Sequence, residues 1–287
     1  MKKIISGLLV LCALLFVGCG GNGTDPSGLG EISVLTREEG SGTRSAFVEL
    51  FELETTDENG NKIDMTTQEA MTTNNTAVMM TSVNKNKNAI GYISMGSLDD
   101  SVKGLKIDGV EPTTANVQNG RYKFSRPFNI VTTSQQSELA KEFVRFILSD
   151  SGQQIIENNG YISVATDPQP FSTAKPTGKI IIVGSSSVAP VMEKLKEAYL
   201  MLNDEAQIDL TQSDSSNGIA SVADGICDIG MASRPLKESE MQKGLTPTAI
   251  ALDGVAVIVN NDNPFDGLKS KQIQQIFMGE ITTWEAL

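Results

Sequence analysis

The sequence predicts an α/β protein with mainly parallel sheets, long enough for two compact lobes. Short apolar runs of strand character alternate with segments whose apolar residues recur at three-to-four spacing, as when strands are joined through amphipathic helices. Of the 287 residues, about 270 would remain after an apolar leader is removed, enough for two lobes.

The leader is MKKIISGLLVLCALLFVGC. Two lysines precede an apolar run too short and too early for an ordinary spanning helix, and small residues precede Cys19, so residues 1–18 read as a secretory signal. GGNGTDPSGLG follows, and residues 19–30 are expected to form a flexible tether. ISVLT then reads as a strand, and RSAFVELFELE as an amphipathic helix. ETTDENGNKID, rich in Asp, Asn, Gly and Thr, reads as a loop. AIGYISM and FNIVTT are strands, and SELAKEFVRFIL and SGQQIIENN are helices. TDPQPFSTAKPTG is the second loop or linker, carrying three of the ten prolines. KIIIVG, AQIDLT, CDIGMA and AIALDGVAVIVN complete the strands, and VAPVMEKLKEAYLML and SKQIQQIFMG the helices.

Composition excludes much chemistry. The chain has no histidine, which removes Ser-His-Asp and Cys-His triads and any histidine metal site. It has no CxxC pair and no EF-hand pattern, so no metal and no other cofactor is expected, and no catalytic residue is assigned. Loss of Lys2 and Lys3 with the leader would take the formal net charge from −12 to −14, which argues against a nucleic-acid partner. Two of the three cysteines lie in the leader region. Cys227, in ICDIGMA, is left without an intrachain partner and reads as a small core residue.

Three hydroxyl-rich turns stand where strands give way to helices. Gly184 and Ser185 to Ser187 precede a helix that starts near Ala189 or Pro190, and proline suits a first helical turn. Ser215, Ser216 and Asn217 precede another, and Gly40, Ser41, Gly42 and Thr43 a third. Backbone N–H groups at such helix starts, together with hydroxyls, point at an anion. Each turn alone is equally well an ordinary cap, since serine and threonine commonly open helices. Three of them, with Arg37 beside one, favour a binding site over a catalytic one.

The segments GSSSVAPVMEKLKEAY, DIGMASRPLKESE, IALDGVAVIVNNDNPFDGL, IQQIFMGEITTWEAL, REEGSGTRSAF and NAIGYISMGSL resemble the phosphate-binding lipoproteins of bacterial phosphate ABC transporters, a periplasmic-binding-protein-like family. The resemblance runs from about residue 31 to the C-terminus. FVGC, residues 16–19, resembles the lipobox of such lipoproteins, with Phe16 where leucine is usual. It implies a lipid on Cys19 and a protein anchored at the outer face of the cell membrane. An ordinary signal peptide with an incidental cysteine is the alternative.

The order of segments departs from the family. Members begin with the counterpart of KIIIVGSSSVAP and run through ITTWEAL into ISVLTREEGSGT, whereas here the ISVLTREEGSGT half comes first. The chain thus resembles a circular permutant whose former ends are joined by TDPQPFSTAKPTG. A fragment of a longer or duplicated gene is the competing reading. Exposed loops tolerate new termini, and closing a linker of this length costs little.

The resemblance implies a two-lobed fold of the second periplasmic-binding type, with the ligand in the interlobe cleft. Hinge strands are expected near Arg126 to Ile130 and near Val255 to Val259. One lobe would comprise residues 31–126 plus 259–287 and the other 127–258. Carried over by position, Ser186, Ser187 and Ser216 would hold phosphate from the continuous lobe, and Arg37, Ser41, Gly42 and Thr43 from the split lobe. Glu39 stands where an acidic residue orients that arginine, or else faces solvent. Arg234 stands where some relatives have an aspartate that rejects fully ionised oxyanions. It either touches the anion or is a surface or hinge-closing cation. The implied function is extracytoplasmic capture of inorganic phosphate by a monomer that serves the permease and ATPase subunits of an ABC importer. The alternatives are another oxyanion such as sulfate or molybdate, or a sensor subunit. Hydrolysis of a phosphate ester is the remaining, enzymatic alternative.

Overall fold

The computed structural model describes residues 28–58 and 62–287; the leader and Cys19 lie outside the described residues. In chain order the first half of the split lobe contains β1 (Ser33–Arg37), α1 (Gly42–Leu50), β2 (Glu54–Thr56), β3 (Lys62–Asp64), β4 (Met71–Thr73), α2 (Thr76–Asn84), β5 (Ala89–Ser94), β6 (Lys103–Gly104), β7 (Lys106–Ile107) and α3 (Thr114–Gln118). β8 (Ser125–Thr132) leads into α4 (Glu138–Ile147), α5 (Asp150–Asn158), β9 (Ile162–Ser163), β10 (Gly178–Ser185), α6 (Ala189–Leu202), β11 (Ala206–Ser213), α7 (Ser215–Ala223), β12 (Ile229–Ala232) and α8 (Glu238–Met241). The long β13 (Thr246–Val259) returns to the split lobe, which ends with β14 (Gly267–Leu268) and α9 (Ser270–Phe277).

The main sheet follows the path β11-β10-β12-β8-β13-β5-β1-β4, with β6 and β9 pairing β13 off that path, while β7 with β14 and β2 with β3 form separate pairs. Both wings are parallel, β10 with β11 and β12, and β1 with β4 and β5. The middle is antiparallel, because β8 and β13 pass between the lobes in opposite directions. The expectation of mainly parallel sheets therefore holds in the wings and fails at the crossing. A strand returning directly to its neighbour's lobe needs no crossover helix.

Two apolar cores flank that crossing. One gathers Leu35, Phe47, Leu53, Met79, Ile90, Tyr92, Tyr122 and Val255–Val259 with Ile273, Phe277 and Trp284; the other gathers Phe128, Ile130, Phe143, Phe146, Ile180, Ile182, Leu195, Tyr199, Ile250 and Ala251. Val255–Val259 pair with β5 inside the first core, so on β13 the change of lobe falls near Gly254 and not at residue 259. Cys227 is buried in a small cluster with Val131, Ile219, Val222, Ala232 and Leu245.

Local chemistry sets the helix ends. Ser137 caps α4 through the Ala140 N–H, with Glu138 in the first turn and Arg145 in the last, each matched to the helix dipole. α4 turns Leu139, Ala140, Phe143, Phe146 and Ile147 into the core. α1 stops at Leu50, so FELE does not continue it, and the next residues but one take a positive φ at Glu52. The expected loop ETTDENGNKID contains an antiparallel pair, β2 with β3. The other expected loop, TDPQPFSTAKPTG, carries no strand until Gly178. α2 has no counterpart in the sequence reading; its TAVMMTSVN pattern is set by Asn75, which caps it through the Val78 N–H. Among the described residues no helix is long and apolar enough to cross a membrane.

The two ends of the split lobe meet. Ile32 donates its N–H to the Thr282 carbonyl at 2.7 Å, and Trp284 donates to the Gly30 carbonyl at 2.9 Å.

Candidate functional site

The ends of four helices meet at the interface of the lobes. α1 and α2 come from the split lobe, and α6 and α7 from the continuous one. The N–H groups of a helix's first turn have no carbonyl four residues back to bond, so they and the positive end of the dipole face the cleft. Gly42 opens α1, Thr76 opens α2, Val188 precedes α6 and Ser215 opens α7.

The hydroxyls interlock across the gap. Thr43 Oγ1 and Ser187 Oγ are 2.7 Å apart, and Thr76 Oγ1 lies 3.4 Å from the same Ser187 Oγ. Arg37 Nη2 donates to Ser186 Oγ at 3.1 Å. Ser185, Ser215 and Ser233 form a buried group behind them, with Ser185 Oγ donating to Ser233 Oγ at 2.9 Å and the Ser233 N–H to Ser215 Oγ at 3.0 Å. Gly42 presses against this group. A Cβ there would lie 2.3 Å from Ser215 Oγ and 2.6 Å from Ser233 Oγ, so only glycine lets the lobes approach.

Arg37 is the charge of the site. It ends β1, is 2% exposed, and lies beside Tyr92, whose hydroxyl accepts the Arg37 backbone N–H and pairs with Thr36 Oγ1 at 2.8 Å. Burial keeps Tyr92 neutral by pushing its pKa up to about 12. Glu38 clamps the guanidinium, accepting from Nε at 2.7 Å and from Nη2 at 2.6 Å. The remaining nitrogen, Nη1, is buried and has no hydrogen-bond partner. A buried donor on a charged group is costly unless an acceptor meets it, and a bound oxyanion is such an acceptor.

The expected residues fall as follows. Arg37, Ser41, Gly42, Thr43, Ser186 and Ser187 are brought together and buried. Ser41 caps α1, accepting the Arg44 N–H. Ser216 lies at the rim, half-buried, bonded to the Gly40 carbonyl and to Arg234. Its neighbour Ser215 is the α7 residue that faces the buried hydroxyls. Glu39 is exposed; Glu38 orients the arginine in its place, because the turn after β1 leaves the Glu38 side chain alongside Arg37. Arg234 is occupied by Glu240, Ser216 and the Pro235 carbonyl and makes no bond to the Arg37 and Ser186 cluster.

Arg126, expected only as the edge of a hinge strand, pairs with Asp253, which the sequence did not single out. Both are buried on the crossing strands, and Arg126 Nη2 bonds Asp253 at 3.3 Å while Nη1 donates to the Ser233 carbonyl at 3.1 Å. Asp253 also accepts from Ser94 Oγ and the Gly96 N–H. Burial raises the Asp253 carboxyl to about 6, against the lowering pull of Arg126 and these hydrogen bonds. Their separation by 127 residues leaves no local signal for the pair. Among the described residues no group of three or more His, Cys, Asp or Glu side chains is placed to hold a metal ion.

Two α/β lobes on two crossing strands, with an arginine and helix starts facing each other in the cleft, define an oxyanion-binding protein of the periplasmic-binding kind. The family described as PBP superfamily domain matches residues 24–151 and 170–286. Phosphate-binding protein PstS 2 of Streptococcus agalactiae is 48% identical over 284 residues, covering 99% of this chain and 96% of the relative. Phosphate-binding protein PstS 2 of Streptococcus pneumoniae is 44% identical over 288 residues, covering 100% and 98%. A crystal structure of a phosphate-binding protein of a phosphate ABC transporter from Streptococcus pneumoniae superposes with a TM-score of 0.71 at 45% identity, over 90% of this chain and 99% of that one. The chain belongs to this family of PBP-like phosphate-binding proteins. Both full-length matches run end to end, so the order of segments, with ISVLTREEGSGT at the front, is shared with these relatives.

Proposed function

We propose that the protein captures inorganic phosphate outside the cytoplasm and delivers it to the permease and ATPase subunits of an ABC importer. It does so as a monomer held to the outer face of the membrane by a lipid on Cys19. The observation that carries the ligand assignment is Arg37, clamped by Glu38, with a buried and unpartnered Nη1 among the hydroxyls of Ser186, Ser187 and Thr43. Burying an oxyanion is tolerable only when nearly every oxygen is hydrogen-bonded, and helix starts from both lobes supply such donors. The names of the full-length relatives agree with phosphate.

The role is binding and transfer, not catalysis. Closure of the lobes encloses the anion and excludes water, and the closed surface distinguishes the loaded protein for a membrane partner. Calorimetry of the purified protein with phosphate, arsenate, sulfate and molybdate tests the ligand. Phosphate binding at micromolar concentration or tighter, abolished in Arg37→Ala, is the expected result. Absence of heat with phosphate, or an equal response to sulfate, would overturn the assignment. Radiolabelled palmitate incorporation that is lost in Cys19→Ala tests the anchor.

A further inference from the structure

The rim of the cleft carries a second set of contacts between the lobes, apart from the hydroxyls around Arg37. The Gly40 carbonyl, on the split lobe, accepts two hydrogen bonds from one residue of the continuous lobe: the Ser216 N–H at 3.2 Å and the Ser216 Oγ at 3.3 Å. Gly40 takes φ +84, and a Cβ there would lie 2.6 Å from Asp214 Oδ1 and 3.3 Å from Ser216 Cβ. The turn thus aims its carbonyl at the start of α7, in a conformation natural to glycine.

Ser216 is itself held from behind. Arg234 Nη2 donates to Ser216 Oγ at 3.1 Å, leaving the hydroxyl hydrogen to go to Gly40. Hydrogen bonds in such a chain polarise one another, so the guanidinium strengthens the serine as a donor. Glu240 fixes the guanidinium at both ends, Nη1 to Oε2 and Nη2 to Oε1, each at 2.8 Å. The Lys237 N–H in turn holds Glu240 Oε2 at 2.7 Å. Burial works against the Glu240 charge, but the bonds from Arg234 and the Lys237 N–H outweigh it and hold the carboxyl below its usual range. Arg234 is 4% exposed and its charge is neutralised within the same lobe.

We propose that Arg234 is a positioning residue of a latch: with Glu240 it sets Ser216 to grip the Gly40 carbonyl, and the latch determines how long a bound oxyanion stays in the closed cleft. The proposal rests on the cleft being the phosphate site. None of the latch bonds involves Arg37, Ser186 or Ser187, so the latch acts on lobe opening and not on recognition of the anion. Changes at one interface appear mainly in dissociation rates, because association depends on encounter.

Stopped-flow kinetics of inorganic phosphate association and release, on the purified full-length protein and its variants, tests the latch. Arg234→Ala and Ser216→Ala are each expected to release phosphate about tenfold faster, with association and the phosphate-to-sulfate preference unchanged. The Arg234→Ala/Ser216→Ala double variant is expected to release no faster than either single one. Arg234→Lys, which cannot span Glu240 and Ser216 with a planar fork, is expected to restore only part of the difference. Slower association, a changed anion preference, unchanged release, or additive effects in the double variant would each overturn the latch. Small-angle X-ray scattering without phosphate gives a second readout, in which Ser216→Ala should be more expanded than wild type. Wild-type protein that fails to bind phosphate while this expansion appears would defeat the phosphate reading and leave the latch standing; no expansion would remove the latch as well.

Discussion

The hydroxyl oxygens of Thr43 and Ser187 sit 2.7 Å apart across the cleft, although 144 residues separate them in the chain. One belongs to α1 of the split lobe and the other to the turn before α6, so a ligand oxygen that met both hydroxyls would be held from both lobes. A hydrogen bond to a charged group contributes about 1.5–3 kcal/mol. Thr43→Ala and Ser187→Ala are each expected to weaken phosphate binding by roughly tenfold to a hundredfold, measured by calorimetry. Because the two share one contact, the double variant should lose less than the product of the single losses. Affinities equal to wild type would count against both as ligands.

The two glutamates after Arg37 are expected to behave differently. Glu38→Gln loses the carboxylate that grips Nε and Nη2, so phosphate affinity should fall by about tenfold through a less well positioned guanidinium. Glu39→Gln, at an exposed side chain, should leave affinity unchanged. The reverse pattern in titrations of the two variants would restore Glu39 as the orienting residue.

Glu142 ties down the linker that joins α5 and β9 to β10. Its buried carboxylate accepts from Thr173 Oγ1, the Ala174 N–H, Tyr199 OH and Arg145 Nη2. Burial disfavours the charge, but these donors outweigh it and lower the pKa. The stabilisation is therefore complete above the unfolded carboxylate pKa and is lost as pH falls through the lower, folded value. Glu142→Gln should lower the melting temperature at neutral pH by roughly 5 °C, and the gap to wild type should narrow as the pH is lowered below about 4. A gap independent of pH would show that the charge is not what matters.

Asp253 has the opposite sign. Burial raises its carboxyl from 3.8 to about 6 despite the Arg126 charge and the bonds from Ser94 and Gly96, so the folded state holds this proton more tightly than the unfolded chain. Its protonation favours folding on the acid side, and that contribution disappears as pH rises through about 6. Melting curves of wild type and Asp253→Asn between pH 4.5 and pH 7.5 isolate the effect, since other carboxylates titrate alike in both. Wild type should lose stability relative to the variant as pH rises over this range. A constant difference, or one growing in the other direction, would contradict the assignment.

Much of the site was legible because its parts are local. A strand giving way to glycine and serine before a helix is recognisable in sequence as well as in space, and Ser41, Gly42, Thr43, Ser186 and Ser187 lie in such turns, with Arg37 ending the strand before one. What depended on the path of the turn was not legible. Choosing Glu38 over Glu39, or Ser215 over Ser216, requires knowing where β1 stops and α7 starts to within one residue. The pairing of Arg126 with Asp253 was not legible for a different reason, since they meet only because β8 and β13 pair in register. The same register explains the lobe boundary. Val255–Val259 and the preceding half of β13 are one continuous strand, and the change of partner from β8 to β5 divides them.

The meeting of the two ends of the split lobe at Ile32, Thr282 and Trp284 also decides where a load would act. A pull on the N-terminal segment enters the split lobe at β1 and is shared at once with the C-terminal segment, which is bonded beside it. The continuous lobe receives that pull through the two strands of the crossing and through the hydrogen bonds that bridge the cleft, Arg37 to Ser186, Thr43 to Ser187 and Ser216 to Gly40. With the split lobe held, the continuous lobe is the moving jaw, so Ser186 and Ser187 would travel while Arg37 stays in place.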